Sequence, residues 1–177
     1  PKNNEAIIEM DPLDHYSIGG AIEWINNEAG DIHVWINTIG GFIMGNHVEG
    51  GVDRWIYMYN TNFMTTLNCC QQILPHMKKN GWGRIINIGA RSAVDSMPLA
   101  GPYCASKVAV HSLTKTIALE NNNQITCNAL LPGIIDTPKN RKNIPNAEYA
   151  NWTSCEMLAK KIEHLLGSSE TGSLIEI

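Results

Sequence analysis

The chain has 177 residues, with 13 Lys and Arg against 17 Asp and Glu, which gives a formal net charge of -4. Its basic residues form no run longer than a pair such as Lys78-Lys79 or Lys160-Lys161, so the basic stripe of a nucleic-acid-binding protein is excluded. With 44% hydrophobic and 17% charged residues, the composition is that of one soluble globular domain.

The cysteines and histidines give no disulfide or metal signal. The five cysteines contain no C-x-x-C pair, and the six histidines lack H-E-x-x-H spacing. We therefore expect free thiols, no metal and a reducing cytoplasm. No charged-then-apolar leader opens the chain, and the least charged stretch, Ile56 to Met77, contains five Asn and Gln residues, so a membrane span is not expected.

Short apolar runs rich in Ile and Val alternate with longer segments of helical character. A T-x-x-E capping box at Thr153 and Glu156 and a glycine at Gly167 mark the last helix. In chain order, we predict a strand at Glu5 to Met10, a helix at Tyr16 to Glu28, a strand at Ile32 to Ile36, a helix at Asp53 to Met77, a strand at Arg84 to Ile88, a helix at Pro102 to Leu119, a strand at Ile125 to Leu130, a helix at Ser154 to Leu166 and a strand at Leu174 to Ile177.

Apolar strands joined by crossover helices indicate an α/β fold with a parallel sheet covered on both faces. Ligands of such sheets bind at the carboxyl ends of the strands. Three of the segments that follow the predicted strands contain glycine, which allows a ligand to approach the backbone closely. The segments are Asp11, Asn37 to Gly41, Gly89 to Ser92 and Pro132 to Thr137.

The sharpest candidate pair is Tyr103 and Lys107, which lie four residues apart at the start of a predicted helix, after Pro102. This spacing places the phenol and the ammonium on one helix face. A nearby ammonium stabilises a phenolate, so we expect Lys107 to lower the pKa of Tyr103 and to make it a usable general acid. Such a pair alone is a weak signal, and it gains force because it follows a strand and a loop of small residues.

With these residues in place, the whole chain resembles the short-chain dehydrogenase/reductases, and within them the dihydropteridine reductase-like branch. The resemblance implies an NAD(P)-binding Rossmann-like domain with a doubly wound parallel sheet. It implies that Tyr103 is the acid, Lys107 its partner and Asn62 the holder of a relay water. The residues implied to bind the cofactor are Asp11, Asn37 and Gly40 of the N-N-A-G-like element, Tyr103 and Lys107, and Pro132, Gly133, Ile135 and Thr137 of the P-G-x-x-x-T loop.

The narrower resemblance to dihydropteridine reductases rests on residues 89–95, 136–142, 145–152 and 171–175. Where most of the wider family has a serine that stabilises the substrate carbonyl, this chain has Ala90, which cannot donate a side-chain hydrogen bond. The dihydropteridine reductases also lack that serine, so the departure favours a quinonoid substrate unless Ser92 substitutes. Arg141 and Asp136 are further candidates for substrate contact, with solvated loop charges as the alternative.

A second departure concerns the glycine-rich turn that holds the cofactor pyrophosphate, which has no counterpart before Asp11. We expect the sequence to be part of a longer chain, a single incomplete domain lacking its first strands, and to bind a dinucleotide poorly by itself. The choice between NAD and NADP stays open. A non-catalytic, degenerate relative that serves as an oligomeric scaffold is the alternative function.

The predicted helices at 53–77 and 102–119 have a second expected role. The first carries no formal charge from Ile56 to Met77 and has apolar residues on most sides, including Trp55. Such a helix needs cover on more than one face. We therefore expect a homodimer or homotetramer formed through these two helices, as the resemblance also implies. The segment from Lys139 to Trp152 is expected to be a mobile loop over the substrate.

Overall fold

Helices and strands alternate along the computed structural model, which describes residues 5–46, 48–121 and 124–177. Four predicted strands and all four predicted helices are confirmed to within three residues at their ends. The elements are α1 (His15–Ala29), β1 (Val34–Asn37), α2 (Gly51–Tyr59), a π-helical segment (Asn60–Met64), α3 (Thr65–Asn80), β2 (Gly83–Ile88), α4 (Ser92–Asp95), α5 (Gly101–Glu120), β3 (Ile125–Leu131), α6 (Pro138–Asn143), a 3-10 turn (Tyr149–Asn151), α7 (Cys155–Leu166) and β4 (Leu174–Glu176).

The four strands form one parallel sheet in the order β1-β2-β3-β4. The carboxyl ends of all four strands therefore meet at one edge, where the glycine-containing loops lie. The predicted strand at residues 5–10 is wrong, because this segment has no regular secondary structure. A strand needs a neighbour for its backbone hydrogen bonds, and β1 pairs only with β2 within the described part of the sheet.

Apolar side chains cover both faces of the sheet, which confirms the doubly wound α/β arrangement. Alternate residues of a strand point to opposite faces, and Ile85 and Ile86 of β2 accordingly enter different clusters. The first cluster joins the sheet to α1, α3 and α5. The second joins it to α7 and is centred on Leu130, Leu158 and Leu165.

The predicted helix at 53–77 is a continuous helical run from Gly51 to Asn80, widened by the π-helical segment at its middle. Its two halves are covered differently. Seven residues of α3 are buried, whereas Met58 is the only buried residue of α2. Trp55 and Ile56 are 37% and 53% exposed, so α2 presents an apolar surface to its surroundings.

The helix α7 begins one residue later than its capping box predicts. Ser154 is the N-cap, and its side chain accepts a hydrogen bond from Met157 N–H. The Thr153 hydroxyl instead donates to the carbonyl of Ile177, next to the last strand. The expected end at Gly167 is confirmed. Within residues 5–46, 48–121 and 124–177, no helix has the length and apolar character to cross a bilayer.

Candidate functional site

Asn62, in the π-helical segment, holds the loop that follows β1. Its Oδ1 accepts from Gly41 N–H at 2.9 Å, and its Nδ2 donates to Gly41 O at 3.1 Å and to Ser106 Oγ at 3.0 Å. A Cβ atom at Gly40 would lie 2.8 Å from Asn62 Oδ1, which explains the glycine at that position. The fully buried Asn62 thus connects three elements at the carboxyl edge of the sheet.

Lys107 approaches the same point from α5. Its side chain is 4% exposed, and Nζ donates to the carbonyl of Ile88, the last residue of β2, at 2.7 Å. A Cβ at Gly40 would lie 3.4 Å from Nζ, so the ammonium lies beside this glycine. Burial lowers the pKa of Lys107 to about 8, because the charged form loses solvation.

Tyr103 lies one turn before Lys107, and its ring packs edge-to-face against Phe42, with 4.9 Å between the ring centroids. Burial raises the pKa of Tyr103 to about 12, and Cys104 contributes in the same direction. The expected lowering of this pKa by Lys107 is wrong for this structure, because the Lys107 ammonium is directed at Ile88 O and loss of solvation dominates. The phenol therefore keeps its proton at neutral pH.

Asn37, the last residue of β1, belongs to a buried chain of polar side chains. Its Oδ1 accepts from Trp35 Nε1, and its Nδ2 donates to Asn87 Oδ1, both at 2.8 Å. The Nδ2 of Asn87 in turn donates to Thr114 Oγ1 on α5 at 2.9 Å. This chain satisfies the polar groups below the carboxyl edge and ties β1, β2 and α5 together.

The loop after β2 contains Ala90 at the position where most members of the family that the chain resembles have a serine. Ala90 is buried, and its N–H donates to His111 Nε2 at 3.3 Å. Burial first, and then Lys107 and Lys115, lower the pKa of His111 to about 4, so its imidazole is neutral and can accept. Ser92 opens α4, and its backbone carbonyl accepts the Cys104 thiol at 3.3 Å.

The loop after β3 contains the predicted Pro132-to-Thr137 element. Pro132 is buried, Gly133 is half-buried, and Ile135 O accepts from Asn140 Nδ2 at 2.8 Å. Thr137 caps α6 through a hydrogen bond from Asn140 N–H at 3.2 Å. Part of the segment expected to be a mobile loop therefore folds as α6 and a 3-10 turn.

Arg141 does not present a free guanidinium to a substrate. Its Nε donates to Asp136 Oδ1 at 2.6 Å and its terminal nitrogen to Asp136 Oδ2 at 2.7 Å. It also lies 4.7 Å from the ring centre of Tyr149. The paired carboxylate raises the pKa of Arg141, and Arg141 lowers that of Asp136. Of the two readings of these charges, the structure favours loop residues that satisfy each other.

Asp11 is exposed and lies at the turn before α1. Its Oδ1 accepts from Leu13 N–H at 2.8 Å, and its own N–H donates to Ser17 Oγ at 2.9 Å. These contacts fix the carboxylate locally. Asp11 does not follow a strand, since residues 5–10 form none.

Two residues that sequence reasoning did not single out also lie at this edge. Phe42 contacts Tyr103, and its exposed ring gave no sequence signal beyond an apolar residue after two glycines. The side chain of Arg91 lies against Gly133, where a Cβ would be 2.9 Å from a guanidinium nitrogen. The sequence signal for Arg91 was its place next to Ala90, where the chain departs from the serine that most of the family has.

Sequence comparison identifies relatives over most of the chain. Over 146 residues it is 30% identical to a D-beta-hydroxybutyrate dehydrogenase of Rhizobium meliloti (strain 1021), covering 82% of this chain and 57% of the relative. Over 142 residues it is 33% identical to the 3-oxoacyl-acyl-carrier-protein reductase FabG of Pseudomonas aeruginosa, covering 78% of this chain and 56% of the relative. The chain thus spans little more than half the length of these two relatives.

Solved structures share the fold. The structure of ElxO with NADP bound has a TM-score of 0.87 and 27% identity, covering 95% of this chain and 74% of that chain. The ligand-free aldohexose dehydrogenase of Thermoplasma acidophilum has a TM-score of 0.88 and 25% identity, covering 98% and 78%. A sequence model of the family described as short chain dehydrogenase matches residues 2–148. The chain therefore belongs to the short-chain dehydrogenase family.

Proposed function

We propose that the protein is an NAD(P)H-dependent reductase in which Tyr103 is the general acid, Lys107 its cationic partner and Asn62 the holder of a relay water. The observation that carries this proposal is the convergence of Asn62 and Lys107 on Gly40 at the carboxyl edge of the sheet, with Tyr103 one turn earlier on the helix of Lys107. Asn62 and Lys107 are buried polar side chains, which apolar packing alone does not require. The two relatives, a dehydrogenase and a reductase, support the same assignment.

The residues at this edge fit the nicotinamide-ribose end of a dinucleotide. The Lys107 ammonium, which lies beside Gly40, has three N–H donors and uses one on Ile88 O. Lys107 and Tyr103 would hold the ribose, and the cofactor, when bound, supplies the hydride. The remaining residues of the cofactor-binding site would be Asp11, Asn37, Pro132, Gly133, Ile135 and Thr137.

The protonation state of Tyr103 suits reduction. With a pKa of about 12, its phenol carries a proton at neutral pH and can donate it. If the substrate is a carbonyl compound, its oxygen becomes an alkoxide during reduction, which is more basic than a phenolate, so the transfer is downhill. Lys107, with a pKa of about 8, is mostly charged at neutral pH and remains a donor for the cofactor ribose.

For the substrate we propose a small quinonoid ring of the dihydropteridine type, or a related carbonyl compound. Ala90 is what favours the conjugated ring, because its methyl group offers no donor to a carbonyl oxygen. A conjugated ring spreads the incoming electrons and needs less stabilisation at one oxygen. The Ala90 N–H is also engaged, since it donates to His111.

Replacing Tyr103 by Phe in the full-length protein tests the assignment. Loss of a positioned acid should lower turnover by about 10²-fold or more, with NADPH affinity, followed by tryptophan fluorescence, changed far less. Unchanged turnover would refute the role of Tyr103. A wild-type protein that shows no saturable quenching with NADH or NADPH would favour the non-catalytic scaffold.

We also propose that the protein forms a homodimer or homotetramer through α2 and α5. Trp55, Ile56 and Tyr59 line a shallow groove between these helices, together with Pro102 and Ala105. Their apolar surface would be costly to leave in water. Light scattering at micromolar concentration should give a multiple of the chain mass, and a monomeric mass would contradict this proposal.

A further inference from the structure

Arg91 bridges two loops at the carboxyl edge of the sheet. Its N–H donates to the carbonyl of Pro132 at 3.2 Å, which ties the loop after β2 to the loop after β3. Its guanidinium then lies over Gly133, where a Cβ atom would be 2.9 Å from one terminal nitrogen and 3.5 Å from the central carbon. The absence of a side chain at Gly133 therefore makes the space that this guanidinium fills.

The charge of Arg91 has no carboxylate partner among the described residues. The two ion pairs found there join Arg141 to Asp136 and Lys160 to Glu156. Asp136, the acid on the neighbouring loop, is thus already held by two hydrogen bonds from Arg141. Arg91 is also exposed, so N–H donors of its planar guanidinium are accessible to a ligand.

Arg91 immediately follows Ala90, the residue that lacks a donor. We propose that Arg91 determines specificity by binding an oxygen of the substrate, either a ring carbonyl or a carboxylate, and so supplies the donor missing at Ala90. This inference rests on the proposed reductase function and deepens it. A guanidinium is suited to the task, because its fork pairs with planar oxygen groups and its charged hydrogen bonds are stronger than neutral ones.

Pterin and pterin-6-carboxylate are suitable probes, because both are fluorescent and carry a ring carbonyl, and one adds a carboxylate. Their dissociation constants are measured for the full-length wild type, Arg91→Met and Arg91→Lys, with and without NADP⁺. Lys160→Met, which also removes one positive charge but lies on α7, is the control. We expect Arg91→Met to weaken binding by about 10- to 100-fold, the range for a hydrogen bond to a charged group, and Arg91→Lys to recover part of it.

The pattern across the two probes locates the contact. Weaker binding of both compounds places Arg91 on the ring carbonyl, and weaker binding of the carboxylated compound alone places it on a carboxylate. Unchanged affinity for both in Arg91→Met, or a wild type that binds neither, overturns the inference. Gly133→Ala, measured without NADP⁺, supplies an independent check, because it should displace the guanidinium and weaken pterin binding in the wild-type background but not in Arg91→Met.

These outcomes separate the inference from the proposed function. If Tyr103→Phe abolishes NADPH-dependent turnover while Arg91→Met binds both pterins normally, the reductase assignment stands and the role of Arg91 fails. If the wild type shows no turnover but binds the probes in a manner that depends on Arg91, the binding role stands alone.

Discussion

Replacing Lys107 by Met should change how the stability of the protein depends on pH. The Lys107 side chain is 4% exposed, and burial lowers its pKa from 10.5 to about 8. The unfolded chain therefore binds more protons than the folded one between these two values. The contribution of Lys107 to the free energy of unfolding therefore rises between about pH 8 and pH 10.5, because the folded protein loses its poorly solvated ammonium charge first.

The magnitude follows from the pKa difference. Each pKa unit corresponds to about 1.4 kcal/mol, so the buried charge costs about 3 kcal/mol of unfolding free energy below pH 8. Integrating the difference in bound protons from pH 7 to pH 9.5 shows that Lys107 adds about 2 kcal/mol to the free energy of unfolding of the wild type over this range. Lys107→Met has no such contribution. The buried Cys69 and Cys70 and the half-buried Tyr103 have pKa values that loss of solvation raises, so they lower stability at high pH. They are common to both proteins and cancel in the difference.

Urea unfolding followed by tryptophan fluorescence at pH 7, 8, 9 and 9.5 measures this difference. The free energy of unfolding of the wild type minus that of Lys107→Met should increase by about 2 kcal/mol from pH 7 to pH 9.5. Lys160→Met, which removes an ammonium that is 73% exposed, controls for the change in net charge. Parallel pH curves for wild type and Lys107→Met would refute the lowered pKa of the buried lysine.

Two further pairs of substitutions, each a buried site with an exposed or open control, test the packing around the sheet. Gly83→Ala would place a Cβ 2.7 Å from Cγ of the fully buried Met77, so it should lower the free energy of unfolding in urea by about 1 to 3 kcal/mol. Its control, Gly20→Ala, lies in α1 with open space around it and should raise the free energy of unfolding by about 0.5 to 1 kcal/mol. Leu165→Ala should cost about 2 to 5 kcal/mol because Leu165 is fully buried, and Leu119→Ala, at a site 83% exposed, should stay within about 0.5 kcal/mol. Equal effects within either pair would contradict the burial of these sites.

The order of the elements was predictable because helices and strands carry different hydrophobic periods. The strand at 125–130 is an example, since each of its residues is buried, as expected for the interior of a parallel sheet. The strand expected at 5–10 was wrong because strand formation depends on a distant partner, which a local pattern does not reveal. The π-helical widening was also missed, since it changes the hydrogen-bond spacing without changing the apolar character of the helix.

For the candidate site, residue spacing predicted where the side chains lie better than it predicted their pKa values. Tyr103 and Lys107 lie on the helix that their spacing indicates, and Asn62 lies beside Lys107 across Gly40. The direction of the pKa change at Tyr103 was wrong, because burial is a sum over the whole fold and outweighs one neighbouring charge. Arg91 was missed for a similar reason, since its contact with Gly133 joins two loops far apart in the sequence.

The wide turn at Asn60–Met64 adjusts the phase of the long helix. Met77 follows Met58 by 19 residues, and a regular helix, at about 100° per residue, would rotate these two side chains about 100° apart. Both are nevertheless fully buried, and the one extra residue in a π-helical turn offsets about 100° of this rotation. The length of this segment is therefore constrained, because deleting one residue would rotate α2, which carries Met58, by about 100° relative to α3, which carries Met77.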